Sequence, residues 1–256
     1  MKRTAGIAIL IFFLFHTTVI FAKENEPNWQ KLNELAEQVL QLGKQGKYEE
    51  AKQILANFST DFLKRISEQK LSLAEIKTII SAYEQADEAL TAVKMSEEER
   101  INKLLQFRLT VNAVTNEHHP MWLDAKNMVL EPLQKALQAI RENEPHQFQR
   151  HVNDFLTNYE IIRPSLIISL PEHEFERYNS YVKYIENNRH NIDQNQLKMI
   201  QTEFQSLFEN PKLSNAEPEL IGLMYTIGGI IAVTLIYVGW RKYKGEKRKK
   251  QMKDLD

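Results

Sequence analysis

The histidines are the first candidates for chemistry, and their spacing does not favour a metal site. His118 and His119 are neighbours, and adjacent side chains on a helix point about 100° apart, so that this pair would chelate a metal poorly. His146 and His151 are five residues apart, whereas residues three or four apart share a helix face. We therefore interpret these histidines as polar surface or helix-capping residues, and we predict no metal site and no cofactor.

Acidic side chains cluster in the stretch PEHEFER, where a helix is expected to begin. Glu172, Glu174 and Glu176 alternate there with other residues, and His173 lies among them. Carboxylates are favoured in the first turns of a helix by its dipole, so their position needs no catalytic explanation. The sequence contains no G-x-S-x-G nucleophile motif, no phosphate-loop motif and no zinc-protease motif. We predict no catalytic residues, with a hydrolase of scattered active-site residues as a third alternative.

Two other stretches favour binding. Between residues 178 and 184, three tyrosines recur at every third position, and basic residues lie among and beside them. This pattern is typical either of a ligand-binding face or of half-buried packing positions. The stretch IIRPSLIISLP is apolar and interrupts the helical pattern, so that it predicts either a short buried helix or an extended crossing through the core. From these two stretches we predict a partner-binding groove that includes Arg163, Pro164, Ser165, Leu166, Tyr178, Tyr181 and Tyr184.

The elements that position these residues are predicted to be helices. Apolar side chains recur at three- and four-residue spacing from Trp29 to Phe208. Between residues 23 and 219 the only glycines are Gly43 and Gly46, although antiparallel sheets depend on glycine in their turns. We predict an all-α fold of seven to nine helices, packed as a helical bundle or a curved helical array.

Local signals predict where several helices begin and end. The stretch GKQGKYEEAKQIL predicts a helical hairpin that turns at Gly43–Gly46. Gly46, Tyr48 and Ala51 match the core of one tetratricopeptide-type repeat, but no second copy follows about 34 residues later, so we do not predict a solenoid. Capping boxes predict helix starts at Ser72–Glu75, Ser96–Glu99 and Asp193–Gln196.

A run of twenty uncharged residues, 221–240, predicts a transmembrane helix, because at ~1.5 Å per residue it spans the hydrocarbon layer of a bilayer. A basic tail, 241–256, follows it directly. Basic residues beside a membrane helix stay in the cytoplasm, so the tail is predicted to be cytoplasmic and the preceding chain extracytoplasmic. Anionic lipid is a candidate contact of the tail. The membrane-flanking basic residues are Arg241, Lys242, Lys244, Lys247, Arg248, Lys249 and Lys250.

The N-terminal segment agrees with this orientation. Lys2 and Arg3 precede an apolar stretch that extends to Ala22, which is the layout of a secretory signal peptide, although its length also fits an uncleaved N-terminal anchor. Either alternative places residues 23–208 outside the cytoplasm. This part is predicted to be helical and is long enough for one domain or two small ones. Residues 209–220 contain two prolines and are predicted to be a spacer.

Charge and cysteine content exclude several functions. Residues 23–240 carry 23 basic and 31 acidic side chains, whereas nucleic-acid binding requires a concentrated basic face, so we predict no nucleic-acid partner. The chain has no cysteine. Disulfide bonds, thiolate metal sites and cysteine nucleophiles are therefore excluded.

The layout of the whole chain resembles the YpjB-type sporulation proteins of endospore-forming bacilli. The resemblance is carried by the start MKRTAGIAILIFFLFHTTVIFA, the stretch WQKLNELAEQVLQLGKQGKYEEAKQIL, the link RPSLIISLP and the single C-terminal span with its lysine-rich end. It implies a membrane protein linked to spore formation. The resemblance brings no enzymatic activity and no functional residues.

These observations together predict a single-pass protein of the cell membrane with an extracytoplasmic helical domain. Its expected function is to hold or organise a protein partner at the membrane without catalysis, because a groove between helices can accept a segment of another protein. The alternative from another class is a receptor-like sensor that binds a small ligand outside the cell.

Overall fold

The computed structural model describes residues 29–66 and 71–214, and these residues form the predicted all-α structure without a β-strand. Eight α-helices lie within these ranges, in agreement with the predicted seven to nine, and a short 3-10 helix covers Met121–Ala125. The α-helices are α1 (Trp29–Lys44), α2 (Tyr48–Arg65), α3 (Leu73–Thr91), α4 (Glu97–Thr115), α5 (Lys126–Arg141), α6 (Pro145–Ser169), α7 (Glu172–Asn187) and α8 (Gln194–Glu209).

The helices divide into two compact units. Unit 1 contains the described residues up to Thr115 together with Thr157–Ile168, so it comprises α1 to α4 and the second half of α6. Unit 2 contains Asn116–Leu156 and the described residues from Ser169 onward, which include α5, the first half of α6, α7 and α8.

In unit 1, α1 and α2 form the predicted hairpin. Gly46 lies in the turn with φ of +72°, a left-handed conformation that glycine adopts without a steric penalty. Gly43 has a different function in the same hairpin. It is buried in the last turn of α1, and a Cβ atom at this position would overlap Cδ1 of Leu104 in α4. The absence of a side chain at Gly43 therefore allows α1 and α4 to pack closely.

Aromatic rings connect α2, α3 and α4 in the core of unit 1. The Phe58 ring lies 4.9 Å from the Phe107 ring in an edge-to-face arrangement and 6.4 Å from the Tyr83 ring, measured between ring centroids. Phe62, one turn further along α2, stacks on Phe58 at 5.8 Å. Such pairs stabilise a core by about 0.5–1.5 kcal/mol beyond their buried area.

Helix α4 is buried on most of its sides and carries a charged group into the core of unit 1. Arg108 is buried, and its Nε donates a hydrogen bond to the Glu37 carboxylate of α1 at 2.6 Å. Its guanidinium also donates to the Asn33 side-chain oxygen at 2.5 Å. The hydrogen bond from Arg108 holds the pKa of Glu37 below its ordinary value. A buried cation requires such partners, so this network fixes the position of α4 along α1.

The expected interruption at IIRPSLIISLP is wrong, because α6 continues as an α-helix from Pro145 to Ser169 with Pro164 inside it. Proline has no N–H group, so the carbonyl of Glu160, four residues earlier, loses its usual helical partner. The Gln106 side chain of α4 supplies a replacement: its Nε2 donates a hydrogen bond to the Glu160 carbonyl oxygen at 2.8 Å. The helix is therefore supported at Pro164 by a side chain from a distant part of the sequence.

Unit 2 is organised around buried rings from three helices. Phe204 of α8 lies 5.3 Å from Phe155 of α6 and 5.5 Å from Tyr178 of α7, between ring centroids. Trp122 is completely buried, and its indole Nε1 donates to the Ser169 hydroxyl at 3.0 Å. The start of α8 is closed by the predicted reciprocal capping box, formed by Asp193 and Gln196.

The chain that follows α8 is attached to the side of unit 2. The backbone N–H of Ser214 donates to the Ser169 carbonyl oxygen at 2.8 Å. The Lys212 ammonium lies 2.8 Å from the Glu174 carboxylate, which is buried at the start of α7 and also lies 3.0 Å from Arg177. Hydrogen bonding to Lys212 lowers the pKa of Glu174 below its ordinary value. We call these contacts the exit clasp, since they hold residues 212–214, the last ones that the structure describes, against helices of unit 2.

Several predicted segments lie outside the described residues. These are the signal peptide or anchor at 1–22, the transmembrane helix at 221–240 and the basic tail at 241–256. Within residues 29–66 and 71–214, no helix has the length and apolar character that a membrane span requires.

We predict that Glu174→Gln loosens the exit clasp, because a neutral amide pairs more weakly with Lys212 than a carboxylate does. Hydrogen exchange at the Ser214 amide should become about five-fold faster, which corresponds to the loss of roughly 1 kcal/mol. Glu172→Gln is the matched control, because Glu172 lies in the same helical turn but is exposed. Equal exchange in the two variants would contradict the clasp.

The same clasp should weaken in acid. A carboxyl group whose pKa is lowered by folding contributes stability above its ordinary pKa, and this contribution disappears as the pH falls through the lowered value. The difference in Ser214 exchange between the natural chain and Glu174→Gln should therefore vanish in this acidic range. A difference that persists at all pH values would show that ionisation of Glu174 does not hold the clasp.

Candidate functional site

The candidate functional site is an open groove in unit 1 with a volume of about 600 Å³. It lies between α3, the first half of α4 and the second half of α6. Its size is within the range of ligand-binding pockets. We call it the unit 1 groove. Its lining residues are Lys77, Thr78, Ser81, Gln85, Ser96, Glu98, Glu99, Asn102, Lys103, Gln106, Thr157, Glu160, Ile161, Arg163, Pro164 and Ile167.

The end of the groove where α3 turns into α4 is held by Arg100. The Arg100 guanidinium is buried and donates to the backbone carbonyl oxygens of Ala89 and Ala92, the latter at 3.0 Å. It also lies over the Tyr48 ring, 4.5 Å from the centroid. A cation at the C-terminal end of α3 is favoured by the helix dipole and by hydrogen bonds to unpaired carbonyls. Ser96 then caps α4 by accepting a hydrogen bond from the Glu99 N–H at 3.1 Å.

The wall contributed by α6 depends on the Pro164 position. Because Gln106 donates to the Glu160 carbonyl, α6 remains helical here and directs Ile161, Pro164 and Ile167 to the groove. Half of the lining residues on this wall are apolar. The two walls from α3 and α4 are mainly polar, so the groove combines both kinds of surface.

Four uncharged polar side chains of the lining make no hydrogen bond within the described part of the chain. They are Ser81 and Gln85 on α3, Asn102 on α4 and Thr157 on α6. Each of these side chains can both donate and accept a hydrogen bond. Their groups are therefore available to a ligand in the groove.

The charged groups of the groove balance one another. The cationic side chains are Lys77, Lys103 and Arg163, and the lining also has three glutamates. Lys103 pairs with Glu88 at 2.8 Å, and Arg163 lies 3.7 Å from Glu160. Without an excess of positive charge, the groove does not have the character of a nucleic-acid or phosphate site. The geometry favours noncovalent binding of a ligand with hydrogen-bonding groups.

The four residues predicted from the link RPSL lie on different sides of α6. Arg163 and Pro164 lie on the unit 1 groove. Ser165 and Leu166 are completely buried on the other side of α6, and the Ser165 hydroxyl has no hydrogen-bond partner among the residues that the structure describes. In this conformation Ser165 and Leu166 support the core and do not line the groove.

The three predicted tyrosines belong to unit 2 and have different environments. Tyr178 is buried, accepts a hydrogen bond from Arg177 at 2.6 Å, and has its pKa raised by burial. Tyr181 and Tyr184 are more exposed and line a shallow depression of about 400 Å³ between α7 and α8. The exposed side chain of Met199 lies beside them. The single predicted groove thus corresponds to residues in two separate units.

The histidines and acidic residues considered for chemistry do not assemble into a site in the described ranges. His118, His119 and His146 are exposed, and His151 lies 3.3 Å from Asp154. Within the same ranges no group of three or more histidine, aspartate and glutamate side chains is arranged to hold a metal ion. Of the three acids in PEHEFER, Glu172 and Glu176 are exposed and Glu174 belongs to the exit clasp.

Sequence reasoning missed the polar residues of α3 and α4 that line the groove. Ser81, Gln85 and Asn102 lie between the apolar positions of amphipathic helices, which is also the pattern of a solvent-exposed face. The one signal that could have located the groove is Gln106, a carboxamide within the apolar part of α4, together with Pro164, which requires a donor.

Comparison with known proteins places these features in a family. Residues 29–252 match the family described as sporulation protein YpjB (SpoYpjB). The protein described as "Uncharacterized protein YpjB" of Bacillus subtilis (strain 168) is 29% identical over an alignment of 262 positions, which covers 99% of each chain. No solved structure matches the chain. The family match covers most of the sequence and confirms the resemblance: the chain belongs to the YpjB family of sporulation proteins.

Proposed function

We propose that this chain is a non-enzymatic, single-pass membrane protein of sporulating cells that holds a protein partner in the unit 1 groove. The observation that carries this proposal is the groove itself, in which side chains from three helices leave hydrogen-bonding groups unused. Membership of a sporulation protein family supports the cellular context. The proposed action is to organise a partner at the membrane.

The membrane part of the proposal is supported by the sequence. Residues 221–240 are uncharged and long enough to span a bilayer, and the basic tail follows them. The exit clasp adds a structural argument. Because Lys212 and Ser214 are held against the helices of unit 2, only residues 215–220 separate the clasp from the apolar run. In this proposal the clasp keeps unit 2 close to the membrane surface.

A ligand-binding sensor is the second candidate function. The depression at Tyr181 and Tyr184 favours it, because two partly exposed aromatic rings next to an exposed methionine provide apolar surface for a small molecule. Its signal would have to pass through one helix to a short tail, and the tail would need a separate partner for output.

The proposed topology predicts a clear labelling pattern, which the absence of cysteine makes easy to measure. Lys52→Cys introduces a thiol on the exposed side of α2, and Lys253→Cys introduces one in the basic tail. In intact protoplasts a membrane-impermeant maleimide should label Cys at position 52 and should label position 253 only after lysis. Labelling of position 253 in intact protoplasts would refute the proposed orientation.

The proposed binding site predicts a position-specific contact in cells. A photo-crosslinking amino acid in place of Ser81, within the groove, should give a discrete protein adduct in full-length chain from irradiated sporulating cells. The same amino acid in place of Lys52 is the matched control, because Lys52 is exposed in the same unit but lies outside the groove. No adduct from position 81, or equal adducts from both positions, would refute the unit 1 groove as the binding site.

A further inference from the structure

We infer that the unit 1 groove binds its partner as an extended polypeptide segment of about four residues, held largely through its main chain. This inference rests on the proposed function and adds the conformation and chemical class of the bound segment. The bound segment would be a terminus or a loop without regular structure, not a folded helix.

The spacing of the polar side chains matches an extended chain. Lys77, Ser81 and Gln85 recur every fourth residue of α3 and all line the groove. Residues four apart on a helix are separated by ~6 Å along its axis. An extended chain places equivalent groups every second residue, or about 6.6 Å apart. Successive polar side chains of α3 can therefore meet equivalent groups of the bound segment.

Helix α4 provides a second row with the same repeat. Glu98, Asn102 and Gln106 are also four residues apart and line the same groove. The first and last residues of each row are eight positions apart, which corresponds to ~12 Å along the helix and to about four residues of extended chain. The two rows determine the length of the bound segment.

The chemistry of the two rows favours a peptide backbone. Gln85 and Asn102 each carry a carboxamide, which provides N–H donors and a carbonyl acceptor together. Neither makes a hydrogen bond within the described residues. A peptide unit in an extended segment offers a free C=O and N–H that complement a carboxamide. A helical segment uses its main-chain groups internally and therefore offers none of them to the two carboxamides.

The third wall accommodates side chains. Ile161, Pro164 and Ile167 form the apolar surface contributed by α6. Side chains of an extended segment point alternately to opposite sides, so one set can pack on this wall while the main chain contacts the polar rows. Since the charges of the lining balance, the segment needs no large net charge.

The test uses a phage-displayed library of linear twelve-residue peptides, selected on the full-length chain in lipid nanodiscs. Selected peptides should bind about 30-fold more weakly to the double variant Gln85→Ala, Asn102→Ala, since two hydrogen bonds of about 1 kcal/mol each are lost. The matched control is Gln53→Ala, Gln134→Ala, which removes two exposed carboxamides outside the groove and should leave binding unchanged. Circular dichroism verifies that both variants keep the helical content of the natural chain.

A second measurement separates main-chain from side-chain recognition. Methylation of single backbone nitrogens in a selected peptide should weaken binding at alternate positions within a stretch of about four residues. The inference is overturned if no peptide is selected, if the double variant binds as well as its control, or if backbone methylation has no effect. Should adducts form from position 81 in cells despite such a result, the groove would still be the partner site and only the extended conformation would be refuted.

Discussion

The carbonyl of Glu160, which has no N–H donor within its own helix, is the constraint on which the architecture of unit 1 depends. Pro164 removes the helical donor for this carbonyl, and the Gln106 side chain of α4 replaces it at 2.8 Å. The hydrogen bond keeps α6 helical through Pro164 and sets its position beside α4. Consequently Arg163 and Pro164 line the unit 1 groove, whereas Ser165 and Leu166 are buried. The hydrogen bond that compensates for the missing N–H of Pro164 therefore also determines which side chains of α6 line the groove.

Local sequence signals predicted much of the fold because helices depend on near neighbours. The reciprocal capping boxes at Ser72–Glu75 and Asp193–Gln196 and the turn at Gly46 are each determined within a few residues. The predicted interruption at Pro164 was wrong because a distant residue, and not a near neighbour, determines the structure there. A local rule predicts that proline interrupts a helix, but its compensation comes from Gln106, 54 positions away from the carbonyl that it pairs with.

The candidate site was less predictable because its polar rows have the same pattern as a hydrated helix face. The repeat of Lys77, Ser81 and Gln85 indicates an exposed stripe, and only the arrangement of α3, α4 and α6 makes it a groove. Tyrosine spacing was similarly ambiguous. Tyr178 belongs to the core of unit 2, whereas Tyr184 remains exposed. The two tyrosines differ because they lie on different sides of α7.

A double-mutant cycle of Gln106→Ala and Pro164→Ala tests the central constraint most directly. In the natural background, Gln106→Ala should lower the free energy of unfolding of the full-length chain by about 1–3 kcal/mol, because the Glu160 carbonyl loses its donor. The substitution Pro164→Ala restores a backbone N–H. In the Pro164→Ala background, Gln106→Ala should therefore lower the free energy of unfolding by at least about 0.5 kcal/mol less than in the natural chain. An equal cost of Gln106→Ala in both backgrounds, measured by urea denaturation, would contradict the account.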